Sequence, residues 1–133
     1  MASPPLALLL LRASRWFDRQ LLEALQQAGW PALSPAQSLV FAHLDRAGTT
    51  PAELARRLGT TRQATADLLA GLVRLDLLVL EANPARRGGR LVVLTEQGRA
   101  LARDAARLLA DLESGLGDQR VAELRRLLGG LEP

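Results

Sequence analysis

The sequence predicts a mainly α-helical fold with one small β-hairpin, and three observations support this prediction. Leucine and alanine dominate the apolar residues, which make up 48% of the 133-residue chain, and both are strong helix formers. Apolar residues recur at three- and four-residue steps along most of the chain, which is the spacing of one helix face. Only between residues 77 and 94 do two short runs rich in leucine and valine favour strands.

Two helices are predicted before residue 50. The first covers residues 6–28, where leucine and alanine recur on one face until Gly29 ends the pattern. At roughly 23 residues this helix would be about 35 Å long, which is more than a small domain covers along its whole length. The second helix starts with Ser34 as N-cap and Pro35 at the first helical position. We expect it to run to about Ala47.

Two further helices follow, joined by a tight turn. The Thr50–Pro51 pair repeats the start signal and predicts a short helix over residues 51–58, closed by Gly59. Thr61 then opens a helix expected to end at about Leu75. This order and length are typical of a helix-turn-helix. In that motif the second helix places its first residues against base edges in the major groove.

The end of the chain is predicted to contain a hairpin and two more helices. Strands over residues 77–81 and 90–94 flank a Gly- and Pro-containing turn with an arginine-rich tip, which would form a wing beside the helix-turn-helix. Thr95 is expected to cap a helix that runs to about residue 113, where Gly115 and Gly117 would break it. Asp118 is then expected to cap the last helix.

The charge distribution favours an acidic partner for the middle of the chain. All 17 basic residues are arginine, which binds phosphate and guanine edges through two parallel hydrogen bonds, although genomic codon bias explains this choice equally well. Residues 46–99 contain nine arginines and five acidic residues, whereas the two flanks together carry eight arginines and nine acidic residues. The positive excess therefore lies around the helix-turn-helix and the hairpin.

The residue inventory argues against an enzyme. The chain has no cysteine and a single histidine, so no catalytic triad is expected, and no phosphate-binding glycine loop or metal-ligand spacing is present. We expect neither a cofactor nor a metal ion. The absence of cysteine favours a reducing compartment, and the apolar run at residues 6–11 is short for a signal peptide. We therefore expect a soluble, cytoplasmic protein.

Three segments resemble the MarR family of bacterial regulators. They are residues 33–37 (LSPAQ), residues 50–65 (TPAELARRLGTTRQAT) and residues 91–99 (LVVLTEQGR). The E-L-A-x-R-L-G and L-T-x-x-G-R patterns are the most specific parts, and the resemblance covers about residues 6–131. It implies a homodimer that binds a palindromic site in double-stranded DNA, in many relatives a repressor released by a small aromatic or phenolic effector.

The resemblance also implies how the chain is organised. One MarR-type domain would cover residues 1–133, with a winged helix region at 33–95 and dimerisation helices at 6–28 and 96–131. The Leu- and Ala-rich terminal helices support a dimer independently, because the winged region alone cannot cover them and a two-fold partner would. The alternative is that the terminal helices pack only on each other within one chain.

The candidate DNA-binding residues lie on the second helix of the motif and on the wing. On the helix, Thr61 can cap and donate to a phosphate, whereas Arg62 and Gln63 can read guanine and adenine; Arg62 as a solvated charge is the alternative. Arg87 matches the family's wing arginine. The remaining candidates are Ala66, Asp67, Arg86 and Arg90.

This chain departs from the family pattern at several of these positions. The family has an acidic residue before the wing arginine, where this chain has Arg86. Relatives commonly carry Ser or Thr, Arg, Asp and Arg where this chain has Ala66, Asp67, Ala70 and Gly71. Asp67 could accept a hydrogen bond from a cytosine amino group, but its charge would also repel nearby phosphates. These changes bear on DNA affinity and leave the fold prediction intact.

Two interpretations remain open beyond DNA binding. Trp16 and His43, with Arg12 or Arg15, could line an effector pocket for an aromatic anion; plain packing is the alternative for these residues. The second is a winged-helix dimer that does not bind DNA and acts as a protein-interaction module. The atypical helix and the apolar residues Val73, Leu75, Val79 and Leu80 favour that alternative.

Overall fold

The computed structural model describes residues 2–131, which form six helices and one antiparallel hairpin. This confirms the predicted fold class of a mainly α-helical chain with a small hairpin wing. In chain order the elements are α1 (Leu6–Gln27), α2 (Pro35–Ala42), α3 (Pro51–Leu58), α4 (Arg62–Arg74), β1 (Leu78–Ala82), β2 (Arg90–Leu94), α5 (Glu96–Leu116) and α6 (Asp118–Gly129).

Side-chain caps start four of the helices where the sequence predicts them. Ser34 Oγ accepts a hydrogen bond from the Gln37 backbone N–H, and the Gln37 side chain accepts from Ser34 N–H, which completes a capping box on α2. Thr50, Thr61 and Thr95 cap α3, α4 and α5 in the same way, each accepting from the backbone N–H three residues ahead.

The core lies beneath the helix-turn-helix and the hairpin. It is built by buried leucines and valines from α2, α3, α4, the hairpin and α5: Leu33, Val40, Leu54, Leu69, Leu72, Leu77, Leu78, Val92 and Leu101. In the hairpin, Leu78 pairs with Leu94 at one end and Ala82 with Arg90 at the other. Because helices from both halves of the chain share this core, the helix-turn-helix is held rigidly against α5.

The second helix is shorter than predicted, because it ends at Ala42 and not near Ala47. The backbone after α2 makes tertiary hydrogen bonds in place of helical ones. The Asp45 N–H donates to Thr49 Oγ1 at 2.8 Å, and the Thr49 N–H and C=O both bond to Val92 of the hairpin. These contacts pull residues 43–49 into a loop that joins the edge of the hairpin.

The predicted start of the first strand is wrong by one residue, since β1 begins at Leu78. Leu77 instead completes the end of α4, where its N–H donates to the Leu72 carbonyl at 3.0 Å and the Asp76 N–H donates to Val73. Asp76 has φ +60°, so this is a Schellman motif with an aspartate in place of the usual glycine. Aspartate tolerates the left-handed conformation better than most residues.

The helix after the wing differs from the prediction at its far end. It continues through Gly115 to Leu116 and ends at Gly117, with φ +99°. Gly117 also occupies the N-cap position of α6, so Asp118 lies in the first turn and makes no side-chain cap. Glycine inside a helix costs only about 0.5–1 kcal/mol relative to alanine, so Gly115 alone does not end α5.

Candidate nucleic-acid interface

The helix-turn-helix is formed by α3, a three-residue turn and α4. Gly59 ends α3 in the left-handed conformation with φ +66°, which glycine adopts without steric cost. Its neighbour Thr61 then caps α4, and the buried side chains of Leu54 on α3 and of Leu69 and Leu72 on α4 belong to the common core. Local backbone preferences and shared burial thus set the geometry of the pair.

The outward face of α4 is exposed over its first two turns. Thr65, Leu69 and Leu72 form the buried stripe, whereas positions 63, 67, 70 and 74 follow the same three- and four-residue steps on the opposite side. The five candidate residues on this helix are all exposed: Thr61, Arg62, Gln63, Ala66 and Asp67. Gln63 Nε2 donates to Asp67 Oδ1 at 3.0 Å, which joins the two side chains.

The wing presents a basic concavity between its two strands. Arg86, Arg87 and Arg90 are exposed and line a cleft of about 550 Å³ together with the backbone of the turn. Asn83 organises this turn, because its Oδ1 accepts from the Ala85 N–H at 3.0 Å and its N–H donates to the Gly89 carbonyl at 2.9 Å.

Pairing divides the arginines into two groups. Within residues 2–131, none of Arg62, Arg86, Arg87 and Arg90 forms an ion pair with a described carboxylate. Five others do so on α3, α5 and α6: Arg56, Arg57, Arg107, Arg125 and Arg126. The guanidinium groups of the four candidate interface arginines are therefore available for a phosphate or a base, as are those of the other arginines that form no ion pair among the described residues.

Arg57 acts within the protein, connecting α3 to the loop after α2. Its guanidinium donates to the His43 carbonyl at 2.7 Å and to both carboxylate oxygens of Asp45 at 3.1 and 2.9 Å. Arg57 Nε also donates to Glu53 at 3.1 Å, and Arg56 pairs with the same carboxylate. Hydrogen bonds from Arg56 and then Arg57 lower the pKa of Glu53 to about 2, and Arg57 lowers the pKa of Asp45.

The four candidate effector residues occupy two parts of the fold. Arg12 and Arg15 are exposed on α1, and the half-buried Trp16 packs edge-to-face on Phe17 with ring centroids 5.0 Å apart. His43 is the half-buried C-cap of α2, and its carbonyl is the one that Arg57 binds. None of the four lines the cleft described next.

A cleft of about 440 Å³ lies between the loop after α2, strand β2 and helix α5. Its apolar lining includes Phe41 and Leu44. Four charged residues contribute to its walls: Asp45, Arg46, Arg99 and Arg103. Sequence reasoning did not find this group, because Arg46 is separated from Arg99 and Arg103 by more than fifty residues and shares no local pattern with them.

The described part of the chain contains neither a metal-binding cluster nor a membrane-spanning helix. Among residues 2–131 no group of three or more His, Cys, Asp or Glu side chains is arranged to hold a metal ion. Over the same residues, every helix is too short or too polar to cross a lipid bilayer.

The sequence of this chain matches a family model and several known proteins. A sequence model of the MarR family matches residues 33–87. Uncharacterised proteins of Mycobacterium bovis and Mycobacterium tuberculosis are 44% identical over 73 residues, which is 55% of this chain. That segment spans about half, 46%, of the length of these relatives.

The solved structures match over nearly the whole chain. The reduced form of MarR from E. coli has a TM-score of 0.80 and 28% identity, and covers 100% of both chains. A mutant of E. coli MarR complexed with operator DNA has a TM-score of 0.74 and 29% identity, over 97% of this chain and 94% of that one. The similarity therefore includes the terminal helices as well as the winged region.

Proposed function

Because the chain belongs to the MarR family and has the winged-helix fold of its transcription regulators, we propose that it is a homodimeric, non-enzymatic regulator that binds a palindromic DNA operator. We further propose that it is a repressor and that a small ligand relieves the repression. One observation carries the proposal: the first two turns of α4 are exposed, and the exposed arginines Arg62, Arg86, Arg87 and Arg90 form no ion pair with a described carboxylate.

The terminal helices support the homodimer. No residue of α6 is buried in the single chain, and a helix of this length is marginal in water without packing. Nine exposed leucines lie on α1, on α6 and just beyond it: Leu6, Leu8, Leu9, Leu10, Leu11, Leu124, Leu127, Leu128 and Leu131. A second copy that packs residues 6–28 and 96–131 against the same segments would bury both sets under two-fold symmetry.

The oligomeric state can be tested directly. Sedimentation equilibrium should give twice the 14.3 kDa chain mass. Leu127→Glu should shift this towards the monomer, because it would place a charge in the buried interface. Gln119→Glu adds the same charge at an exposed polar position of the same helix and serves as the control. A wild-type protein that stays monomeric at micromolar concentration would contradict the homodimer.

DNA recognition is assigned to the exposed residues of α4 and the wing. Arg87→Ala should weaken binding to specific and random duplexes alike, and lower the slope of log affinity against log salt by about 0.9 for one lost phosphate contact. Arg62→Ala should instead relax the preference for the selected sequence. Arg107→Ala removes the same charge from α5 and should leave both properties unchanged. If Arg62→Ala and Arg87→Ala both bind as the wild type does, the assignment is wrong.

Relief by a small ligand is supported by the cleft beside α5. An organic anion with an apolar body would match its apolar lining and its three arginines, because the one carboxylate in the wall, Asp45, is already paired with Arg57. Salicylate should then release the protein from DNA, and Arg103→Ala should raise the concentration required. The competing assignment is the pocket of Trp16 and His43 with Arg12 or Arg15. If the ligand binds there, Arg15→Ala should raise the salicylate concentration required for release. Release that neither variant changes would refute both sites.

A protein-interaction module is the second candidate function. Four apolar side chains at the end of α4 and on β1 are 37–39% exposed and could contact a protein partner: Val73, Leu75, Val79 and Leu80. A gel shift with the DNA upstream of the chain's own gene discriminates the two functions. Retardation at nanomolar protein supports the regulator, and no retardation even at low salt supports the module.

A further inference from the structure

Gln63 and Asp67 are the only polar side chains on the first two turns of the outward stripe of α4, whose next members are Ala70 and Arg74. Both side chains are exposed, and Gln63 Nε2 donates to Asp67 Oδ1 at 3.0 Å. The neighbouring Ala66 is small, so it would let the helix approach base edges closely. Over these turns of the stripe, the pair supplies the polar groups that can meet base edges, and it acts beside Arg62, which lies off the stripe.

The hydrogen bond fixes what the pair can offer to a base. An ionised aspartate only accepts hydrogen bonds, and a glutamine amide has two N–H donors and one carbonyl acceptor. One donor of Gln63 is occupied by Asp67. What remains outward is the Gln63 carbonyl, the second oxygen of Asp67 and a single N–H, so acceptors outnumber donors.

We propose that the Gln63–Asp67 pair makes this protein select exocyclic amino groups in the major groove, with cytosine facing Asp67. This inference rests on the proposed DNA-binding function. Only cytosine N4 and adenine N6 present donors in that groove, whereas guanine and thymine present acceptors there. An acceptor opposite Asp67 would leave two lone pairs facing each other, so guanine and thymine are disfavoured at that position.

The charge of Asp67 strengthens the discrimination. A carboxylate that lies between phosphate backbones is repelled by both, and this penalty applies to every sequence. Only an amino group at the right position offsets it with a charge-assisted hydrogen bond. Asp67 therefore lowers affinity for random DNA and raises the ratio of specific to non-specific binding.

The experiment begins with selection of binding sites from random duplexes by the purified wild-type protein. Each cytosine and adenine of the selected half-site is then replaced singly, cytosine by 2-pyrimidinone and adenine by purine, which lack only the exocyclic amino group. At one cytosine the wild type should lose about tenfold or more in affinity. Asp67→Ala should abolish that difference and bind random DNA more tightly than the wild type.

The comparison includes its own controls. The analogue weakens the duplex itself, but this effect is common to both proteins and cancels between the wild type and Asp67→Ala. Asp111→Ala removes the same charge from an exposed position on α5 and should keep the tenfold difference. Far-ultraviolet circular dichroism and the unfolding midpoint establish that Asp67→Ala is folded, as its exposed position leads us to expect.

The outcomes separate the two proposals. If the wild type selects no sequence and does not retard DNA, the proposed function fails, and this inference fails with it. If the wild type selects a palindrome but no cytosine shows the amino-group dependence, or Asp67→Ala retains it, only the inference is overturned. A tenfold loss that disappears in Asp67→Ala alone supports the pair as the specificity determinant.

Discussion

Replacement of Gly98 by alanine should destabilise the protein strongly, because helix α5 contacts the backbone of Leu77, just after α4, at this position. A Cβ atom at Gly98 would lie 2.0 Å from the Leu77 carbonyl oxygen and 3.1 Å from Leu94 Cδ2. Carbon and carbonyl oxygen normally stay about 3.3 Å apart even in close contact. The start of α5 would therefore have to move by more than about 1 Å.

Such a movement would disrupt the hydrogen bonds by which Thr95 connects the end of α4 to the start of α5. Its N–H donates to the Leu77 carbonyl at 3.1 Å, its hydroxyl donates to the Asp76 carbonyl at 2.6 Å, and its Oγ1 caps the Gly98 N–H at 3.0 Å. We expect about 3 kcal/mol for the overpacking, because the obstructing atom is backbone. Loss of the cap destabilises the protein by about 1 kcal/mol more. The higher helix propensity of alanine stabilises it by about 1 kcal/mol. The net loss is about 3 kcal/mol.

Gly115→Ala is the matched control on the same helix. Nothing lies within 4 Å of a Cβ atom at that position, so the same substitution should stabilise the protein by about 0.5–1 kcal/mol. Urea unfolding followed by circular dichroism measures both changes, at one protein concentration because dimerisation shifts the midpoint. If the two variants differ by less than 1 kcal/mol in unfolding free energy, where about 4 kcal/mol is expected, the steric argument is refuted.

Three further predictions follow from side-chain contacts. Arg57→Ala should lower the urea midpoint more than Arg56→Ala, since Arg57 makes four hydrogen bonds, three of them to the loop after α2, and equal midpoints would contradict this. The pKa of Glu53 is depressed from 4.5 to about 2. Its stabilising contribution is therefore fully present above pH 4.5 and is lost as the pH falls towards 2. Between these pH values, the urea midpoint of Glu53→Gln should change less with pH than that of the wild type. Trp30→Phe should cost about 1–2 kcal/mol in unfolding free energy, because the Trp30 Nε1–H donates to Asp104 at 2.8 Å, and a loss below 0.5 kcal/mol, measured by the same unfolding assay, would show that water replaces this bond.

Local signals made most of the helix starts predictable. Each N-cap satisfies a backbone N–H three residues away, so the interaction is contained within one turn and can be recognised in the sequence. The same holds for the turn of the helix-turn-helix and for the arginine-rich connection between the strands. These features were sufficient to place the candidate residues of α4 and the wing on exposed surfaces.

The ends of elements depended on partners distant in sequence. Helix α2 ends at Ala42 because Thr49 pairs with Val92 and Arg57 binds the His43 carbonyl. The apolar periodicity of residues 35–47 does not indicate either contact. Likewise, composition shows many arginines but does not reveal which ones are paired. Their availability is decided by whether a carboxylate lies within reach in three dimensions.

The amino-acid sequence alone thus determined the fold class, the order of elements and the residues proposed to meet DNA, because capping, turn formation and helix periodicity act over a few neighbouring residues. Only the tertiary structure decided that Gly98 must lack a side chain, that Arg57 serves the scaffold, and that Arg46 shares a cleft with Arg99 and Arg103. These features depend on where separate segments meet when the core is buried, and that packing is a property of the whole chain.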